Sequence, residues 1–151
     1  MSATTCPAYV LTIFYCFPEG EVPIQKEIIK IAGIKNRPGT FHHVVKAGDF
    51  LFLSSQLSCD LKTGEIIKGD IKEQTKRAMD NIKFLLESSG SSMNDIVKIV
   101  IYMRDTKYRK EINEVYAGYF EKGTEPVKVS IQAPSPIPGI NIEIEATAIV
   151  N

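Results

Sequence analysis

The stretch Pro126-Val-Lys-Val-Ser-Ile-Gln132, a proline-rich turn, and then Asn141-Ile-Glu-Ile-Glu-Ala-Thr-Ala-Ile-Val150 sets the reading of the whole chain. Both runs alternate with period 2, the mark of half-buried strands. In the first, Val127, Val129 and Ile131 point one way and Lys128, Ser130 and Gln132 the other. In the second, Ile142, Ile144, Ala146 and Ala148 oppose Glu143, Glu145 and Thr147. Each strand is expected to give an aliphatic face to a core and to carry ionisable groups on its polar face. Pattern alone is satisfied if that polar face meets water. The sharper reading puts Lys128 and Glu143 at a cleft.

Outward from these runs, the chain alternates strands with helices. Residues 26–32 read as a short strand, and Asn36-Arg37-Pro38-Gly39 as a turn. Residues 41–46 and 50–56 read as a hairpin around Ala47-Gly48-Asp49. Residues 70–89 form the clearest helix. Asp70 and Glu73 have capping-box spacing, Ile71, Ala78, Met79, Ile82, Leu85 and Leu86 make one apolar stripe, and Gly90 stands at the C-terminal stop. Residues 96–103 are apolar and β-branched, a central strand. Residues 108–120 read as a second amphipathic helix ending at Gly123. Two helices set among these strands cover one face of a four-to-six-stranded sheet. A ferredoxin-like α+β layer pair is the simplest topology. The other sheet face is left bare, and aliphatics such as Leu51, Leu53 and Ile149 on it imply a homo-oligomer.

Composition narrows the function classes. The chain has 151 residues, 44% hydrophobic and 24% charged, which suits one domain with a real core. Its 18 basic and 18 acidic residues cancel, so no field draws it to nucleic acid or an anionic membrane. Cys6, Cys16 and Cys59 form an odd set without a Cys-x-x-Cys pair, neither a disulfide framework nor a zinc site. A reducing, cytoplasmic setting is the default. The apolar run at 8–17 is too short to span a bilayer and lacks the flanks of a secretory signal or the arginines of a mitochondrial presequence. Residues 1–25 therefore read as an N-terminal extension of a single domain at 26–151. Phosphate-binding loops, dinucleotide fingerprints, His-Glu-x-x-His and Gly-x-Ser-x-Gly are absent from the sequence. His42 and His43 are neighbours in a strand and point to opposite faces, which disfavours a shared metal, though one of them can line a pocket.

Several segments carry a resemblance. Phe50-Leu-Phe-Leu-Ser-Ser-Gln-Leu57, Thr63-Gly-Glu65, Gly69-Asp70-Ile71 with Glu73-Gln74-Thr75, Ala78-Met-Asp-Asn81-Ile82, residues 92–98, Asn113-Glu-Val-Tyr116 with Tyr119-Phe120, and Ile142-Glu-Ile-Glu-Ala146 stand in order and at the spacing of one family. The sequence resembles the Rid (YjgF-type) reactive-intermediate deaminases, formerly labelled endoribonucleases or translation inhibitors, over roughly residues 26–150. The resemblance implies a compact homotrimer with a chorismate-mutase-like α+β fold and a cleft between each pair of subunits. It implies hydrolysis of 2-imino acids to 2-oxo acids and ammonia, with no metal or organic cofactor. In such proteins an arginine in a Pro-Ala-Arg motif holds the substrate carboxylate, and a glutamate of the last strand directs water.

Carried over position by position, Glu143 matches that glutamate, Gln56 the glutamine after a small turn, and Asn113 a helix asparagine. Lys128 stands where the anchor arginine is expected, Ser55 replaces a glycine, Phe41 a tyrosine, and Ser130 a frequent cysteine. Glu143 is thus the catalytic candidate, with Lys128, Phe41, Ser55, Gln56, Ser130 and Asn113 for binding. A lysine offers one hydrated point charge where arginine offers a planar fork matched to a carboxylate. Three functions follow. One is a 2-imino acid deaminase. A second is a non-catalytic trimer binding a small 2-imino or 2-oxo carboxylate or a protein. The third is an endoribonuclease, against which the balanced charge counts. A plain ion pair between Lys128 and Glu143 is the structural alternative to a cleft.

Overall fold

A computed structural model of the chain describes residues 23–36 and 39–150. The apolar run at 8–17, Cys6, Cys16, most of the expected extension and half of the turn at Arg37-Pro38 lie outside the described residues. The elements run β1 (Lys26–Ile28), β2 (Val44–Ala47), β3 (Phe50–Leu53), α1 (Ile71–Glu87), β4 (Ile96–Met103), α2 (Arg109–Ala117), β5 (Val127–Gln132) and β6 (Ile142–Ile149). They build one six-stranded sheet in the order β1-β2-β3-β6-β4-β5. All neighbours are antiparallel except β4 and β5, which are parallel. Strand β6 lies between β3 and β4, so β3-α1-β4 is a split βαβ unit, whereas β4-α2-β5 joins adjacent parallel strands; the whole is an α+β layer pair.

Local chemistry explains the helices. The Asp70 carboxylate accepts from the Glu73 amide at 2.9 Å while the Glu73 carboxylate accepts from the Asp70 amide at 2.9 Å, so both halves of the capping box form. The apolar stripe of α1 is buried, and Gly90 follows with φ of 80°, a left-handed value that closes the end. Helix α2 is shorter than its periodicity suggests. A 3-10 turn at Thr106–Tyr108 precedes it, and it stops at Ala117 with Gly118 as C-cap. Gly123, with φ of 95°, belongs to the following turn and not to the helix end.

The sheet differs from expectation in one respect that matters for the site. Leu51 and Leu53 are buried under the helices, and Phe50 and Phe52 take the bare face at 45% and 48% exposure. Alternation names two faces without saying which is covered. Ile149 pairs with Phe50 and does lie on the bare side. The first strand ends at Ile28, short of the expected residue 32, and β2 begins only at Val44. Along β5, Lys128 and Ser130 pair with Ile99 and Ile101, which are buried on the helix side, whereas Val127, Val129 and Ile131 pair with Lys98, Val100 and Tyr102 on the bare side. The aliphatic face of β5 is therefore outside this chain's core, contrary to expectation. With Ile28, Phe50 and Phe52 it makes an exposed apolar sheet face. Val97 is the extra residue of a bulge between Ile96 and Lys98. No helix among the described residues is long and apolar enough to cross a membrane.

Candidate active site

Glu143 projects from β6 beside the irregular continuation of β3. There Gln56 and Ile144 exchange backbone hydrogen bonds at 2.7 and 2.8 Å, which draws the preceding Ser55 against Glu143. The Ser55 hydroxyl donates to Glu143 Oε2 at 2.8 Å. That bond fixes one carboxylate oxygen and leaves the other for a water or an imine N–H. The pair opens on a cavity of about 330 Å³ whose walls include Phe41, His43, Ser55, Gln56, Ile137 and Glu143. Phe41 meets His43 edge-on with ring centroids 5.2 Å apart. His43 Nε2 lies 3.2 Å from the Lys35 carbonyl oxygen, an acceptor, so that nitrogen carries the proton. Its Nδ1 is then a buried acceptor with no partner among the described residues. Gln56 is buried and donates to the Ser54 carbonyl and hydroxyl, so its amide holds the turn.

A second cavity of about 290 Å³ shares Ser55 and Glu143 and adds Tyr102 and Glu145. The Tyr102 hydroxyl donates to Glu145 Oε2 at 3.3 Å. Burial, then the Glu145 charge and hydrogen bond and the Glu143 charge, push the Tyr102 phenol up from its ordinary pKa. Glu143 and Glu145 make this second cavity acidic. Two buried amides of α1 shape it from behind. Asn81 donates to the carbonyls of Leu57 and Cys59, fixing the segment after β3. Gln74 donates to Gly69 and Gly139 and accepts from the Asn141 amide, fixing the loop that carries Pro136 and Ile137.

Lys128 belongs to a different neighbourhood. It lies on the helix side of β5, where its Nζ donates to Asn113 Oδ1 at 3.0 Å and sits 4.4 Å from the centroid of the Tyr116 ring. Burial, and then the charge of Arg109, hold the Lys128 pKa below its ordinary value. Lys128, Ser130, Gln132, Met103, Thr106 and Arg109 line a pocket of about 260 Å³.

Within one chain the expected site residues therefore fall into two groups. Glu143, Ser55, Phe41 and Gln56 share one hollow; Lys128 and Ser130 share another on the opposite side of the sheet, with Asn113 holding the Lys128 ammonium. The intrachain Lys128–Glu143 ion pair does not form, because the register turns the two side chains to opposite faces. Tyr102 and Arg109 escaped the sequence reading, and His43 entered it only as one of two histidines able to line a pocket. Spacing signals existed for two of them. His43 lies two residues from Phe41, and Arg109 lies four residues before Asn113 on one face of α2.

The profile of the endoribonuclease L-PSP family matches residues 34–150. A RutC family protein of Pyrococcus horikoshii is 42% identical over 124 residues, covering 82% of this chain and 98% of the relative. The mouse 2-iminobutanoate/2-iminopropanoate deaminase is 28% identical over 126 residues, covering 83% of this chain and 93% of the deaminase. The crystal structure of E. coli TdcF with bound serine superposes with a TM-score of 0.73 at 28% identity, covering 83% of this chain and 99% of that one. The profile match and the archaeal relative, each spanning most of the sequence, make this chain a member of the endoribonuclease L-PSP family, the Rid (YjgF/RutC) family that its sequence resembles.

Proposed function

We propose that the protein hydrolyses 2-imino acids to 2-oxo acids and ammonia in clefts between the subunits of a homotrimer with a chorismate-mutase-like arrangement. The observation that carries this reading is the Glu143–Ser55 pair opening on a preformed cavity. The likeness to a 2-iminobutanoate/2-iminopropanoate deaminase supports the chemistry. The split of the site supports the assembly. An acidic hollow and a basic pocket on opposite sides of one chain are complementary between copies packed head to tail, and such contacts close into a ring where the rotation between copies closes. The exposed apolar face of the sheet gives these copies a surface to bury.

In this mechanism the ligand carboxylate rests at Lys128 of one subunit, and its imine carbon faces Glu143 of the next. Glu143 takes a proton from water as the water oxygen bonds to the imine carbon and the C=N π electrons move to nitrogen. The proton returns to that nitrogen, giving a carbinolamine; Glu143 then takes the hydroxyl proton and passes it to the amine, so that the C–N bond breaks and the 2-oxo acid and ammonia form. No net redox change occurs. Ser55 keeps the carboxylate oriented, and Phe41 and Ile137 keep the hollow apolar.

The test is ammonia release from 2-iminobutanoate generated in place by a dehydratase. Wild type accelerates it, and Glu143→Gln loses roughly 10²- to 10⁴-fold, the usual range for removing a general base. A wild type without acceleration sinks the proposal. The engagement of Lys128 by Asn113 and Tyr116 favours a second reading, a carboxylate-binding trimer without turnover. That reading expects ligand binding without ammonia release, and ammonia release gained on Lys128→Arg.

A further inference from the structure

The pocket around Lys128 holds a second cation that no motif assigned. Arg109, at the first position of α2, lines the same 260 Å³ space, beside the hydroxyls of Ser130 and Thr106 and the amide of Gln132. The pocket holds two cationic donors and three neutral polar side chains, and its lining contains no carboxylate. Among the described residues neither Lys128 nor Arg109 has a carboxylate within ion-pair distance; the ion pairs present join other lysines. Two like charges thus share one pocket without a counter-charge, and burial, then the repulsion of Arg109, lowers the Lys128 pKa. An arrangement of this kind costs the free protein stability, and a bound anion removes the cost.

We infer that Lys128 and Arg109 jointly form the carboxylate-binding pocket, and that the Arg109 guanidinium supplies the planar fork that a lysine cannot. Lys128 is already occupied by the Asn113 oxygen and the Tyr116 ring, so it serves as a fixed point charge. Arg109 is exposed and engaged by no other described side chain, so it is able to close both N–H groups on one carboxylate. Residues Arg109, Asn113 and Tyr116 recur at helical spacing, so one face of α2 presents the guanidinium, the lysine's amide partner and its ring. The identity of the anion rests on the deaminase reading; the pocket does not.

The experiment is titration of 2-oxobutanoate into the full-length wild type, Arg109→Met, Arg109→Lys and Lys110→Met, with calorimetry for affinity and NMR of the Lys128 ammonium for location. Lys110 is the next cation along, outside the pocket, and Arg109 is exposed, so none of these variants threatens the fold. Wild type binds and the Lys128 signal shifts. Arg109→Met weakens binding roughly ten- to hundredfold, the scale of a lost charge-assisted pair. Arg109→Lys recovers part of the loss, and Lys110→Met matches wild type. With 2-iminobutanoate as substrate, Arg109→Met raises KM more than it lowers kcat. Binding by Arg109→Met equal to wild type overturns the inference, as does a wild type that does not bind at millimolar concentrations. Arg109-dependent binding without ammonia release leaves the pocket standing and removes the deaminase reading. Ammonia release with a KM indifferent to Arg109 does the reverse.

Discussion

Strands β5 and β6 read alike in sequence and behave as opposites in the fold. Strand β6 lies between β3 and β4, and Ile142, Ile144, Ala146 and Ala148 fill the core under α1. Strand β5 is the sheet edge, and each of its residues is exposed in the single chain. Its aliphatic side turns away from the helices, and its polar side, with Lys128, turns toward them. The same alternation thus serves two ends. In the central strand it separates core from site. In the edge strand it separates a surface that lacks a cover from a pocket under α2. What distinguishes them is their neighbours, and period-2 patterning carries no information about neighbours.

The largest effect expected from this contrast is on stability. Ile144 is fully buried, and Ile144→Ala deletes core methyl groups from the middle of the sheet at a cost of about 2–5 kcal/mol. Val127, on the matching alternation in β5, is 68% exposed, and Val127→Ala costs less than about 0.5 kcal/mol. Denaturant midpoints of the two variants check the comparison, and equal shifts would refute it. The next effect separates folding from assembly. Val129→Asp puts a charge on the bare face beside Val100 and leaves the chain folded. By circular dichroism the variant matches wild type, and by sedimentation it runs as a monomer while wild type runs as the proposed trimer. A Val129→Asp protein that sediments with wild type would show that this face is not the contact.

The parts of this fold that could be read in advance are those set by neighbours in sequence. Helix α1 was legible because its cap, its stripe and its closing glycine all lie within one short segment. The β2–β3 hairpin was legible because Gly48, with φ of 58°, permits the tight turn. Whether Leu51 or Phe50 faces the helices was not legible, since both strings of the hairpin alternate with apolar residues on either side. The sequence named the candidate site as one set; in the fold Glu143, Ser55, Phe41 and Gln56 line one cavity and Lys128 and Ser130 another, with Asn113 bonded to Lys128. That these groups lie on opposite faces was hidden, because β5 docks on β4 through a parallel register that only tertiary packing decides. Gln74 and Asn81 were quoted for their resemblance alone. Their work, tying loops at both sides of the cavity to one helix, becomes visible only with the carbonyls they reach.

The smallest effect tests the ionisable group on the helix side of β5. Burial, and then the Arg109 charge, lower the Lys128 pKa in the folded chain, whereas the unfolded chain keeps the ordinary 10.5. Between the two values the unfolded state holds more protons than the folded one, so stability rises with pH across that window. Below it the lysine is charged in both states and the burial penalty is fully present. Lys128→Met removes this slope while retaining the titration of every other group. The stability difference between wild type and Lys128→Met should therefore grow in favour of wild type as pH climbs toward 10.5. The change is small, below about 1 kcal/mol, because solvent still reaches the ammonium and screens it. Urea unfolding at three or four alkaline pH values measures it, and a difference that shrinks instead would mean that the helix side of β5 welcomes the charge. Glu143→Gln in the same series serves as the contrast, because it alters the bare side of β6 and leaves the helix side of β5 as it is. An alkaline slope that follows Lys128 and ignores Glu143 separates the two faces by chemistry alone.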